Sequence, residues 1–242
     1  MPTPVKLPAE VENIIHHVDG VKSFIMKPLK HCPNFKPGQF LHLAIDEYDP
    51  SFHWPESRVF SIANSPTRRD KLRITFSVKG DFTERMYREV KICDILWLKL
   101  PYGSFSFPDN ETDIVLIAGG TGITPFVSFL EYAVDNKINT KINLYYGARS
   151  PEHLIFDTSM EECDNNLKEF NYHIYIESNS HKCMLKNVKN GILSIETILK
   201  DKSDNSNSIY YLSGPQKMID SFREKMLKNE IMETNIIFDE WD

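Results

Sequence analysis

The sequence is short of everything that an iron–sulfur protein, a zinc finger or a disulfide scaffold needs. It has four cysteines, Cys32, Cys93, Cys163 and Cys183, in 242 residues. None forms a Cys-x-x-Cys pair, and no histidine stands at zinc-finger spacing from two of them. Iron–sulfur ligation needs several thiolates converging from short loops, so the thiols read as scattered and reduced, and no metal site is expected. No uninterrupted apolar run reaches the length of a bilayer span, so no transmembrane segment is expected. The opening stretch, Met1-Pro2-Thr3-Pro4-Val5-Lys6, leads into no apolar region of the signal-peptide kind, and a cytoplasmic location is expected. Basic charge is scarce: Lys plus Arg number 28 against 34 Asp plus Glu, a net charge of −6. Neutralising nucleic-acid phosphates takes clustered cations, so no nucleic-acid partner is expected. There is no internal repeat.

What remains is an ordinary globular composition, 41% hydrophobic and 26% charged, with two different periodicities. Up to about Pro108 the pattern is two-fold. Leu41, Leu43 and Ile45 alternate with His42 and Ala44. Leu72, Ile74, Phe76 and Val78 alternate with Arg73, Thr75 and Ser77, and Leu96, Leu98 and Leu100 with Trp97 and Lys99. Such alternation belongs to antiparallel sheets and barrels. After about Asn110 the pattern changes. Ile114–Ala118 is a continuous apolar run, as in a strand covered on both faces. Further strands are predicted at 142–146, 172–176 and 209–212, and helices at about 126–133, 151–163, 194–200 and 216–229. Strands alternating with helices indicate a doubly wound parallel sheet. The expected fold is therefore β plus α/β: an antiparallel six-stranded β-barrel over 1–109, then a doubly wound parallel-sheet domain over 110–242.

Four motifs carry candidate chemistry. The first is Gly119-Gly120-Thr121-Gly122-Ile123-Thr124-Pro125, directly after the buried strand. Glycines let a backbone approach a pyrophosphate, and the following helix start offers N–H groups and positive dipole to anionic oxygen. A plain turn needs fewer glycines, so phosphate or dinucleotide binding is the favoured reading. The spacing is neither G-x-G-x-x-G nor Walker A. The second is Arg58-Val59-Phe60-Ser61-Ile62-Ala63-Asn64. Strand alternation puts Arg58, Phe60 and Asn64 on one face and Ser61 with Ala63 on the other. The guanidinium suits a pyrophosphate, the Phe60 ring a planar ligand, and the Ser61 hydroxyl a ring nitrogen. Taken alone, the segment reads equally well as an edge strand with a surface arginine. The third is Gly80-Asp81-Phe82-Thr83, with Thr83 expected to cap a short helix running to about Val90. A cap without a ligand is the commoner meaning of that pattern. The fourth is Leu212-Ser213-Gly214-Pro215 at the end of a parallel strand, where ligands sit in such sheets.

In this order, over nearly the whole chain, the four motifs resemble the ferredoxin–NADP reductase superfamily of flavoprotein reductases. The resemblance implies a flavin-binding barrel followed by a nicotinamide-nucleotide domain. It implies flavin binding by Arg58, Val59, Phe60, Ser61, Ser77, Val78, Gly80, Phe82, Thr83 and Trp241. It implies dinucleotide binding by Gly120, Thr121, Gly122, Thr124, Gly147, Arg149, Gly214 and Pro215. Ser61 and Ser213 are the expected catalytic residues, Ser61 near the flavin N5. The family's Arg-x-Tyr-Ser motif has Phe60 for Tyr here, and its Cys-Gly-Pro has Ser213 for Cys, beside the hydride path. The ending Phe238-Asp239-Glu240-Trp241-Asp242 resembles the family's acid-x-aromatic terminus.

The expected activity is hydride transfer from NADH or NADPH to FAD, with electrons passed to a separate acceptor, either an electron-carrier protein, an oxygenase or a small molecule. FAD is preferred to FMN because Arg58 suits a diphosphate. NADH is preferred because Glu177-Ser178-Asn179 lacks a base for a 2′-phosphate, although Arg149 argues the other way. The alternatives are a free-flavin or ferric reductase and a non-catalytic nucleotide-binding module.

Overall fold

The computed structural model describes residues 3–107, 113–178, 183, 185–202 and 208–239. The chain forms two compact units, Met1–Phe107 with Val127–Tyr132, and Pro108–Phe126 with Ala133–Asp242.

The first unit holds β1 (Val5–Val18), β2 (Val21–Pro28), β3 (Phe40–Ala44), β4 (Arg58–Ser61), β5 (Leu72–Ser77), α1 (Asp81–Glu89) and β6 (Ile95–Tyr102). Its strands form one six-stranded sheet in the order β4-β3-β6-β1-β2-β5. Every pairing is antiparallel. The sheet curls until its two edges meet: just past β4, the Ala63 N–H donates to Arg73 O of β5 at 2.7 Å. The expected barrel is thus present as a near-closed sheet. Its interior is built by the alternating residues, among them Leu41, Leu43, Leu72, Ile74, Leu96, Leu98 and Leu100, with Leu7, Ala9, Val11, Phe24 and Met26 from the first hairpin.

That first hairpin, β1 and β2, was not read from the sequence. The β1 register shifts between Val11 and Asn13 and again between His16 and Val18. A bulge inserts an extra residue and breaks period-two alternation. The turn carried a clear signal nonetheless. Val18 pairs with Val21 across Asp19-Gly20, and Gly20 has φ +76°. A two-residue Asp-Gly loop with positive φ is what a tight hairpin needs.

The second unit holds β7 (Asp113–Gly119), a 3-10 turn at Gly120–Ile123, α2 (Thr124–Asp135), β8 (Lys141–Ala148), α3 (Asp157–Asn166), β9 (Phe170–Ile176), β10 (Val188–Asn190), α4 (Ile195–Asp201), β11 (Ile209–Ser213), α5 (Gln216–Lys228) and β12 (Ile236–Phe238). The middle of α2 counts with the first unit. The strand order is β10-β9-β8-β7-β11-β12, and every pairing is parallel. This is the expected doubly wound sheet.

One helix differs from expectation. The stretch 151–163 splits into a 3-10 turn at Pro151–His153 and α3 from Asp157. Between them Ile155 and Phe156 are buried, and Phe156 takes φ +65°, which ends helical geometry. Burial of two apolar side chains outweighs helix continuity there. The short β10 and β12 were also missed, each having only three residues.

Candidate functional site

Within the first unit, β4 brings its arginine to the start of α1. The Arg58 guanidinium lies over the Phe82 ring, 5.0 Å from its centroid. It is exposed, and its Nη2 donates to Glu56 Oε1 at 2.7 Å. Phe82 is the second residue of α1, so the guanidinium stands beside the helix's first turn. N–H groups of a first turn have no partner within the helix. A cation thus stands beside a helix start, an arrangement that suits an anion.

Thr83 does not cap α1. Gly80 is the N-cap residue and Thr83 the third residue of the helix. The Thr83 hydroxyl reaches back, accepting from the Lys79 N–H at 2.8 Å and donating to Gly80 O at 2.9 Å. It fixes the turn leading into the helix, so its role is the reverse half of a capping box. Ser77 ends β5, and the Val78 N–H donates to Gly20 O at 2.9 Å.

The strand alternation expected around Ser61 stops at Ser61, where β4 ends, and does not extend to Asn64. Phe60 is buried against Phe76, with ring centroids 6.0 Å apart. Val59 is half-buried. Ser61 is also buried, and its Oγ has no hydrogen-bond partner among the described residues. Burying a hydroxyl without a partner is unfavourable by about 1–3 kcal/mol, so this atom is poised for an external acceptor or donor.

In the second unit the carboxyl ends of three neighbouring strands come together. Gly119 of β7 lies beside Gly147 of β8, and Ala118 beside Ser213 of β11. The glycines divide into two kinds. A Cβ on Gly122 would stand 2.3 Å from Ser213 O, and one on Gly119 would stand 2.8 Å from Met218 Sδ. One on Gly147 would meet Leu193 at 3.0 Å, and one on Gly214 would meet Met218 Cε at 2.7 Å. Gly119, Gly122 and Gly214 let the glycine turn, the end of β11 and the start of α5 touch, and Gly147 lets β8 meet Leu193 before α4. Gly120 is different: it has φ +55° and faces open space. Thr124 is buried, and its hydroxyl donates to Thr121 O at 2.9 Å, closing the turn into α2. Pro215 is the N-cap residue of α5 and is exposed. Arg149 is exposed just past β8, and Ser178 donates to its carbonyl through both N–H and hydroxyl.

Ser213 is fully buried and donates to Asp239 Oδ2 at 3.2 Å. Asp239 follows β12, held by its N–H to Leu212 O at 3.0 Å. Burial pushes its carboxyl up to about 7, and the Ser213 hydrogen bond pulls only weakly the other way. Asp239 is the acid of the acid-x-aromatic ending, though the sequence reading gave a role only to Trp241. The signal for Asp239 was an acid directly after the apolar run Ile236-Ile237-Phe238. Trp241, expected near the flavin, lies outside the described residues.

Residues 116–224 match the oxidoreductase NAD-binding domain family. Among solved structures, the cytochrome P450 reductase of Amycolatopsis superposes with a TM-score of 0.83 at 18% identity, covering 98% of this chain and 70% of that one. The FAD/NAD-binding domain of nitric oxide dioxygenase from Vibrio cholerae gives 0.81 at 18% identity, covering 96% and 97%. The chain has the ferredoxin–NADP reductase-like fold. The stretch that matches the oxidoreductase NAD-binding domain runs from β7 into α5. Curated relatives include the reductase component of propane 2-monooxygenase from Mycolicibacterium smegmatis, 25% identical over 95% of this chain and 66% of that protein. The anthranilate 1,2-dioxygenase electron transfer component of Acinetobacter baylyi is 26% identical over 84% and 57%. The chain thus spans somewhat less than two thirds of the length of these relatives. No helix among the described residues is long and apolar enough to cross a membrane.

Proposed function

We propose that the chain is an FAD-dependent NAD(P)H reductase that delivers electrons to a separate acceptor, with residues 1–109 holding the flavin and 110–242 the dinucleotide. The observation that carries this reading is the partnerless, buried Ser61 hydroxyl on the strand whose Arg58 faces the start of α1. A hydroxyl waiting for a ring nitrogen and a guanidinium waiting for a diphosphate fit FAD on one strand. When bound, FAD would take up a hydride and release its electrons onward.

Arg58 would neutralise the diphosphate, helped by the N–H groups of the α1 first turn. Asp81 and Glu84 lie in that turn and oppose an anion, so the arginine is the more necessary. Ser61 would hold the flavin ring through its free hydroxyl. Gly120, with nothing facing it, would let a dinucleotide approach the backbone of the turn before α2. No side chain need act as general base, and the residues' task is to position and orient. Glu177 and Arg149 are both exposed near the end of β8, and Glu177 supports NADH by its capacity to bind a ribose diol. The relatives named above are reductase or electron-transfer components of oxygenases, which supports an oxygenase component or its electron carrier as acceptor.

Gel filtration with an absorbance spectrum tests the flavin half. The protein should elute yellow, and Arg58→Ala should lose colour. A colourless wild-type protein that takes up no added FAD would refute the reading.

A further inference from the structure

The sheet of the second unit is covered unevenly on one face. There Val115, Ile117, Tyr145 and Tyr175 share a core with Ile195 and Ile198 of α4 and Ile219, Phe222 and Met226 of α5. Toward the strand starts the same face turns polar and opens into a cavity of about 440 Å³. Its floor is a ladder across β8 and β9: Asn143 lies beside Asn171, and Tyr145 beside His173. The last two rings stack at 4.7 Å and 10°.

Among the described residues that line the cavity, three lysines face two aspartates. Lys202 holds Asp113 at 2.8 Å, and Lys189 holds Asp201 at 2.7 Å. A third lysine, Lys141, stands 3.8 Å from an Asp113 that Lys202 already engages. Among these described residues one ammonium is in excess over the carboxylates. His173 adds no charge near neutral pH, because burial and then Lys189 push its imidazole below the usual range. A second observation is independent of charge. Asn143 Nδ2 is buried with no acceptor among the described residues. A surplus cation beside an unused amide donor suits an anion with acceptor oxygens. A metal ion is disfavoured, since no group of three His, Cys, Asp or Glu positioned to hold one occurs among the described residues.

We propose that this cavity is a second ligand site, which binds a small oxyanion, carboxylate or phosphate, through the Lys141 ammonium and Asn143 Nδ2. The site is separate from the glycine turn. Lys141 opens β8 and Gly147 stands six residues along the strand, about 20 Å away at 3.3 Å per residue. The inference does not depend on the flavin reading.

The experiment titrates the full chain with sodium phosphate, sodium malonate and, at matched ionic strength, sodium chloride, following the assigned imidazole resonance of His173 by NMR. A saturable shift with phosphate or malonate but not chloride is expected, and the arm that saturates identifies the chemistry. Lys141→Met and Asn143→Leu should each weaken it roughly tenfold, the loss of one hydrogen bond in a charged site. Lys141 is exposed at a strand start, so that variant tests the site without disturbing the fold. A response equal to chloride, or a saturable shift that both substitutions leave intact, overturns the proposal.

Discussion

Ser213 Oγ donates to a carboxylate oxygen of Asp239 at 3.2 Å, with both side chains buried. Together with the Asp239 N–H donating to Leu212 O, this bond ties the end of β11 to the residue after β12. Burial of the Asp239 carboxyl, opposed by this bond, sets a pH dependence. The folded-state carboxyl is raised to about 7 from an ordinary 3.8, so the folded chain binds the proton more tightly than the unfolded one. Stability from this group is full below pH about 4, falls as pH rises, and levels off above about 7. At about 1.4 kcal/mol per unit the loss is at most on the order of 4 kcal/mol. Asp239→Asn should flatten that slope in urea unfolding between pH 4 and 8. Parallel slopes for the two proteins would contradict it.

The glycine turn separates packing from binding. Gly122→Ala forces a Cβ against Ser213 O and should destabilise by about 3 kcal/mol. Gly120→Ala meets nothing and carries only its positive φ, a penalty of about 1 kcal/mol. On the proposed function, Gly120→Ala should raise KM for the dinucleotide more than it lowers Tm. Thermal melts and steady-state kinetics of the two variants check this.

Glu131 is a buried carboxylate of the first unit. It accepts from Arg73 Nη2 at 2.5 Å and from the Ser65 N–H at 3.1 Å, while Arg73 Nε also donates to Ala63 O at 2.9 Å. Glu131→Leu would take this carboxylate from the mostly buried guanidinium, and should cost about 3 kcal/mol in denaturant unfolding. Arg73→Met with Glu131→Leu should recover part of that loss.

Ser61→Ala removes a hydroxyl that has no partner. Stability should stay level or rise, because no hydrogen bond of the described chain is lost. Flavin reduction by the dinucleotide should slow about tenfold. A loss of stability with unchanged reduction would assign the hydroxyl a structural role.

The two-domain plan was legible because the two halves obey different periods. Leu96, Leu98 and Leu100 alternate in an antiparallel strand, whereas Ile114–Ala118 runs unbroken in a parallel one. The β1–β2 hairpin was illegible by alternation because bulges interrupt it, although Asp19-Gly20 announced the turn. The glycine turn was legible as a motif but not in its division of labour. Only coordinates show that Gly119 and Gly122 are needed for contact with their neighbours and Gly120 is not. The Ser213–Asp239 bond joins residues 26 apart in sequence, beyond the reach of any local pattern. Thr83 was read as a cap because threonine caps helices often; its place three residues later differs only in which backbone groups its hydroxyl meets.

Anaerobic stopped-flow mixing of the FAD-loaded protein with NADH, and separately with NADPH, addresses hydride uptake itself. Flavin absorbance should bleach rapidly with at least one of them, NADH the faster, and recover when an electron acceptor is added. Absorbance that neither dinucleotide changes, in protein shown to hold its flavin, would contradict the reductase account.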